Sequence, residues 1–492
     1  MTHEHFDIII VGGGLSGIAA AYHVQAYCPS KSYIILEARD VVGGTWDLFR
    51  YPGIRSDSDM YTFGYSFHPW QSNSAIADGA SIRGYIRETA KTYGIDRQIR
   101  FQHPVKRVSW ASAEARWTVE VERQDEPEPI RFTCNFLITC TGYYDYAGGY
   151  TPAFAGVETF RGRLVHPQQW PENLDYAGKR IVVIGSGATA VTIIPAMAKT
   201  AARVTMLQRS PTYIVSRPSE DAIAKWLRRR LPTRLAYALA RWYNVLFGLY
   251  FYNLSRRKPE AVKQWIVAQA RTQLGADYDV KTHFTPRYNP WDQRLCLAPD
   301  ADFFRAIKDG KAEVVTDQIE TFTATGIRLQ SGRELPADII VTATGLKLLL
   351  LGGIQVTVDA QPVKFAETIN FKGVMFSDVP NLAAAFGYTN ASWTLKCDLT
   401  SAYVGRLINY MDEHGYVACT PRQRDPLFTP RPLVDFSSSY IQRSIGEFPR
   451  SGAKKPWKLY QNYLWDLVSL RFGPVNDKAL EFSRGRAAKS AA

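Results

Sequence analysis

The sequence predicts an α/β chain with two doubly wound units and a helical insertion in the second, and three observations carry that expectation. A short β-rich apolar run, Phe6–Val11, opens into Gly12-Gly13-Gly14-Leu15-Ser16-Gly17, then a helical stretch, Ile18–Gln25, and a second strand, Ser32–Leu36, that stops at Glu37. The same order returns as Arg180–Ile184, Gly185-Ser186-Gly187-Ala188-Thr189-Ala190, Val191–Lys199 and Arg203–Leu207. Each half then closes on an apolar strand, Phe136–Cys140 running into Thr141-Gly142 and Ile339–Val341 running into Ala343-Thr344-Gly345.

A glycine-rich turn between a strand and a helix has a specific use. The first glycine makes the tight turn, the second admits a pyrophosphate to the backbone, and the third position, Gly17 or Ala190, lets the helix lie on the strand. The free N–H groups and dipole at the helix start then face the phosphates. Both units therefore read as Rossmann-like dinucleotide-binding domains, with Gly12, Gly14, Ser16 and Gly17 on one ligand and Gly185, Ser186, Gly187, Ala188, Thr189 and Ala190 on the other.

The strand after each loop makes the units unequal. Glu37 lies twenty residues beyond Gly17, where a carboxylate accepts hydrogen bonds from an adenosine ribose. Gly43-Gly44-Thr45-Trp46 follows and suits a loop folding over an extended flavin diphosphate, so the first site is expected to take FAD. In the second unit Gln208-Arg209-Ser210 stands in the equivalent region. Arg209 can pair with a 2′-phosphate and Ser210 can donate to it, which predicts NADPH.

The expected organisation is a first FAD-binding part at 1–145, a first NADPH-binding part at 152–210 and an insertion with an active-site segment at 211–300. A second NADPH-binding part follows at 301–350, and 351–492 returns to complete the FAD domain, through a strand at Asn381–Ala385 and a helix at Ser401–Met411, before a frayed tail over the last twenty residues, which include Arg484-Gly485-Arg486-Ala487-Ala488-Lys489. Within the insertion, Asp221–Leu231 and Tyr237–Leu254 are helical in period, basic and aromatic. Such a stretch can lie on an anionic bilayer. A helical insertion packed on the NADPH domain with a solvated charged face is the favoured expectation.

Composition narrows the classes. The net charge of +13 would suit nucleic acid, yet no finger, basic-region heptad or RNA-binding aromatic signature accompanies it, so no nucleic-acid partner is expected. None of the six cysteines forms a C-x-x-C pair, which argues against a metal site and a dithiol redox centre. No signal-peptide pattern or spanning apolar run is seen, and a cytoplasmic location is expected.

Between the two loops lies Phe160-x-Gly162-x-x-x-His166-x-x-x-Trp170-Pro171. Here the sequence resembles the type I Baeyer–Villiger monooxygenases, a family marked by this stretch between two dinucleotide fingerprints. The resemblance implies an enzyme that uses FAD, NADPH and O2 to place one oxygen atom beside a ketone carbonyl, giving an ester or lactone, with sulfides or thioamides as further substrates. Flavin-containing heteroatom monooxygenases share both loops and are the alternative; they normally lack the Trp-Pro ending and the active-site arginine. Arg294 matches the family's active-site arginine and Asp57 the carboxylate that orients it, an expected buried pair. Thr45, Trp46, Asp47, Leu48, Arg55, Ser56, Asp57 and Val105 match further cofactor-binding positions, and His166 is implied to set linker geometry. Gln293 stands where many members carry a Lys toward the 2′-phosphate, which leaves a smaller NADPH preference resting on Arg209 and Ser210. Trp393, Tyr388 and Tyr61 are candidates for an apolar substrate pocket.

Overall fold

The computed structural model describes residues 3–123, 126, 128–434 and 436–485; of the expected frayed tail, 486 onward lies outside the described residues, while Leu480–Ser483 is not frayed but pairs antiparallel with Ala418–Pro421. The predicted α/β plan with two Rossmann-like units is the one the chain adopts. In the first sheet the strand Glu4–Val11 lies between Tyr33–Leu36 and Ile130–Thr139, parallel to both, with Ile8 opposite Tyr33 and Ile9 opposite Leu137. Ile8 to Val11 are all buried, the continuous apolar run that a strand covered on both faces requires. Strands 105–111 and 116–121 extend this sheet antiparallel, and two segments from far along the chain join it: Gln355–Val358 beside 105–111, and Leu382–Ala384 beside 130–139.

The second sheet is fully parallel, in the spatial order 312–316, 203–208, 180–184, 339–342, 163–165. Its loop repeats the geometry of the first. Gly12 has φ +106° and Gly185 φ +132°, and a Cβ on either would stand 2.6 Å from the Cys140 carbonyl oxygen or 2.3 Å from that of Ala343. Those carbonyls end the neighbouring strands, so each turn is glycine because the adjacent strand reaches it.

The insertion departs from the favoured expectation. The helices Ala222–Arg228 and Thr233–Arg257 do not rest on the second unit alone: Ala224, Leu227, Ala236, Tyr237 and Ala240 are built into the hydrophobic core of the first. The outward face of Thr233–Arg257 is apolar rather than charged, because Arg241 and Asn244 are turned inward. Arg241 donates to the carbonyls of Tyr61 (2.8 Å) and Gly64 (2.7 Å) and approaches Asp398 at 3.5 Å, while Asn244 donates to Asp221 at 2.9 Å.

Candidate active site

Both glycine loops open onto one cavity of about 1330 Å³. That exceeds the roughly 300–1,000 Å³ of a pocket for one small ligand and suits two extended ligands meeting end to end. The helices that start at the loops, Leu15–Tyr27 and Ala188–Met197, begin at Gly14 and Gly187 with no side-chain cap, whereas Asp59, Asp78, Asp221 and Asp279 cap other helix starts. The uncapped N–H groups are left for an anion.

On the first side Gly12, Gly14, Ser16, Glu37, Thr45, Trp46 and Val105 line the cavity. Glu37 is 6% exposed; its two carboxylate oxygens accept from Gly13 N–H at 2.6 Å and Arg39 N–H at 2.9 Å. Burial pushes its carboxyl upward while those N–H donors oppose the shift. The remaining lone pairs are available to a ribose diol, so the residues present fit an adenine dinucleotide such as FAD. Gly17 stands behind the wall. Asp47 and Leu48 do not reach the cavity either. Asp47 is fully buried and is held by Arg39 (2.6 Å), Arg83 (3.3 Å), Arg87 (3.3 Å) and Arg50 (3.4 Å), a cluster that fixes the loop under the site, and Leu48 packs against the second unit's core.

On the second side Gly185, Ser186, Gly187, Ala188, Thr189, Arg209 and Ser210 line the cavity, and Ala190 is buried in the core behind it. Gln208, the strand-end counterpart of Glu37, is turned away: it donates to His283 O and Thr316 Oγ1, both at 2.8 Å. Arg209 is exposed and, among the described residues, makes no ion pair.

Between the two sides stand Arg55, Ser56, Asp57, Gln293 and Arg294. Arg55 is tied to Asp302 at 2.5 Å, and Ser56 donates to Ser58 O at 2.8 Å. Arg294 Nε lies 3.0 Å from Asp57 Oδ2, with the two side chains 34% and 30% exposed. The pair is therefore on the cavity wall and not buried as expected, because both side chains face the open space between the loops. Asp57 still raises the Arg294 guanidinium further above its ordinary value, so the arginine stays a cation.

Sequence reading missed the tyrosines that share the cavity wall with Arg294. Tyr143, Tyr144 and Tyr440 line the cavity with it and act on its charge; Tyr143 stacks on Trp393 with centroids 4.9 Å apart, and Tyr143 and Tyr144 share a hydroxyl hydrogen bond of 2.7 Å. Tyr143 and Tyr144 directly follow the strand-ending Thr141-Gly142, at the carboxyl end of the sheet where ligands gather, and that position was the available signal. Tyr440 comes from a short distant helix and left none.

Arg294, Tyr143, Trp393 and Tyr440 also border a smaller, mostly apolar pocket of about 90 Å³ that continues past Tyr388, Phe386 and Leu348. Trp393 donates to Ser16 Oγ at 2.8 Å, and Tyr388 to Asp466 at 2.7 Å. Tyr61 is not in either pocket. It is wholly buried in the first core, with its hydroxyl accepting from Arg228 at 3.3 Å.

His166 lies off the cavity wall. Its Nδ1 accepts from Gln168 N–H at 3.1 Å, which fixes the proton on Nε2, 3.3 Å from the Gly345 carbonyl. Burial lowers its proton affinity, so the ring is a neutral strut from the linker to the end of the strand Ile339–Thr342. Phe160 fits because Gly162 has no Cβ to strike its ring at 2.4 Å.

Comparison with known proteins agrees with this architecture. A model of NAD(P)-binding Rossmann-like domains matches residues 10–76, and the flavin-binding monooxygenase-like model matches 56–348. The FAD-containing monooxygenase EthA of Mycobacterium tuberculosis is 54% identical over 98% of both chains, and EthA of Mycolicibacterium smegmatis 52% over 99% of both. A solved oxidised steroid monooxygenase bound to NADP superposes with a TM-score of 0.76 over 98% of this chain and 100% of its own; at 21% identity it speaks for the fold. Two uncapped phosphate loops on one cavity, a family match over more than half the sequence and relatives alike from end to end lead to one conclusion: this chain belongs to the flavin-binding monooxygenase-like family.

Proposed function

We propose that the protein is an NADPH-consuming, FAD-dependent monooxygenase of Baeyer–Villiger type, converting an apolar ketone, O2, NADPH and a proton into an ester or lactone, NADP+ and water. The observation that carries this reading is Arg294, a permanent cation held by Asp57 at 3.0 Å on the border between the large cavity and the apolar pocket. FAD, when bound, supplies the activation of O2 with electrons from NADPH.

The chain's own residues do the rest. Glu37 and the N–H groups at Leu15–Tyr27 hold the flavin dinucleotide. Arg209 and Ser210 select the 2′-phosphate of NADPH. Tyr143, Trp393 and Tyr440 give the apolar pocket beside Arg294 its aromatic border. Arg294 directs its charge at a carbonyl oxygen that becomes negative under attack, and fixed charge placed there is worth on the order of 10²–10³ in rate. Asp57 fixes the direction of the guanidinium fork.

The test is product analysis by mass with a ketone and a methyl aryl sulfide in separate NADPH-driven reactions. Ester from the ketone is expected, and Arg294→Ala should keep NADPH-dependent flavin reduction while ester formation falls at least about a hundredfold. Ester formation retained in the variant overturns the role of Arg294. Sulfoxide with no ester from any ketone overturns the Baeyer–Villiger assignment in favour of heteroatom oxygenation.

A further inference from the structure

The helix Thr233–Arg257 turns Arg241 and Asn244 inward beside Ala236, Tyr237 and Ala240, and this leaves a second apolar face largely uncovered among the described residues. Arg241 and Asn244 are each 7% exposed, while Leu235, Leu239, Trp242, Leu246, Phe247 and Tyr250 are between 38% and 65% exposed. Their spacing, i, i+4, i+7, i+11, i+12 and i+15, places all six on one stripe. The segment 463–472 continues the surface with Trp465 at 53%, Val468 at 54% and Phe472 at 73% exposed, and the rings of Trp242 and Tyr463, 6.0 Å apart, join the two. Trp226 on the preceding helix is 54% exposed, with Arg230 over its ring. Isolated apolar residues on a surface mean little, but a contiguous patch of this make-up marks a place where something docks.

The charge around the patch says what fits. Residues 222–258 contain nine Lys and Arg and no Asp or Glu. Arg229, Arg230 and Arg234 are exposed at one end of the stripe, and Arg257 and Lys258 at the other. Lys455 stands 5.0 Å from the ring of Trp465. A second copy of this chain docking face to face would set this cationic rim against itself, which costs affinity. No described helix is long and apolar enough to cross a membrane. We infer that this face lies on an anionic lipid bilayer, with the stripe and 463–472 entering the boundary between headgroups and acyl chains and the cations meeting the lipid phosphates.

Sedimentation of the flavin-loaded enzyme with vesicles tests the inference, using phosphatidylcholine alone and phosphatidylcholine mixed with phosphatidylglycerol, at low and high salt. Pelleting with the anionic vesicles is expected, weaker at high salt. Leu239→Glu/Leu246→Glu should weaken it on the order of tenfold or more, since each leucine loses its apolar insertion. Phe472→Glu tests the second segment independently, and Arg229→Gln/Arg230→Gln should weaken anionic binding alone by about fivefold per charge. All these side chains are exposed, so flavin content and Tm should stay at the parent values. No pelleting at low salt overturns the inference, as does pelleting that none of the variants weakens. A dimer dissolved by Leu239→Glu/Leu246→Glu, without vesicle binding, overturns it in favour of self-association.

Discussion

The two glycine loops share a backbone and differ in everything that follows it. Gly12 and Gly185 both turn with positive φ under a neighbouring strand end, and both loops lead into helices without a side-chain cap. Beyond that, the first is tight and the second open. At Gly17 a Cβ would stand 1.9 Å from the Gly12 carbonyl oxygen, while the second unit accommodates Ala190 at the same place with no exposure. Glu37 is buried and bonded into the first loop; Gln208 is bonded away from the second, leaving the exposed Arg209 and Ser210 at its mouth. A closed loop with a fixed acceptor suits a dinucleotide that stays through turnover. An open loop with a free cation suits one that binds as a charged, exchangeable partner.

Substitutions can break this contrast. Gly17→Ala should have the largest effect, because the nearest atom is backbone and cannot step aside. A loss of about 3 kcal/mol in stability is expected, with flavin absorbance missing after gel filtration. Flavin retained at full occupancy would show that the helix and strand can separate at little cost. Glu37→Gln comes next. An amide has only one oxygen for the two N–H donors, which implies a loss of roughly 1–3 kcal/mol, or about a tenfold to hundredfold weaker FAD affinity by titration of the apoprotein. NADPH affinity should be unchanged, and a parallel fall in both would deny the division of labour. The smallest effect belongs to Ala190→Gly: a helix glycine in place of alanine costs about 0.5–1 kcal/mol, read as a small drop in Tm with flavin content intact.

The insertion offers a second contrast, between what periodicity reveals and what it hides. The helix Thr233–Arg257 was legible as a helix from its apolar and basic spacing, yet spacing does not say which side faces the protein. Tertiary hydrogen bonds decided it: carbonyls at Tyr61 and Gly64 and the carboxylate of Asp398 draw Arg241 inward, and the apolar stripe is left outside. The strands directly before and after each loop, Arg180–Ile184 among them, were readable to within two residues because buried parallel strands are unbroken apolar runs, whereas the expected Phe136–Cys140 is the end of a longer strand, Ile130–Thr139. Arg294 and Asp57 required a resemblance, since one arginine among 59 Lys and Arg carries no local mark of its role. The grouping of Tyr143, Tyr144 and Tyr440 on the wall with Arg294 was unreadable as a unit because chain segments almost three hundred residues apart supply it. Asp47 lies one residue past Trp46, which lines the cavity, yet four arginines hold it below the wall, an arrangement that depends on the helix Gly79–Thr92 packing beside it.

The most direct test of the contrast is the ratio of kcat/KM for NADPH to that for NADH, measured with one ketone for the parent enzyme and for Arg209→Ala. The parent should prefer NADPH by a margin limited by the neutral Gln293. In the variant the NADPH value should fall by about tenfold or more, as loss of a charged hydrogen bond of roughly 1.5–3 kcal/mol requires, while the NADH value holds, bringing the ratio toward one. A parent that prefers NADH, or a ratio that Arg209→Ala leaves in place, would contradict the assignment of the two loops to different cofactors.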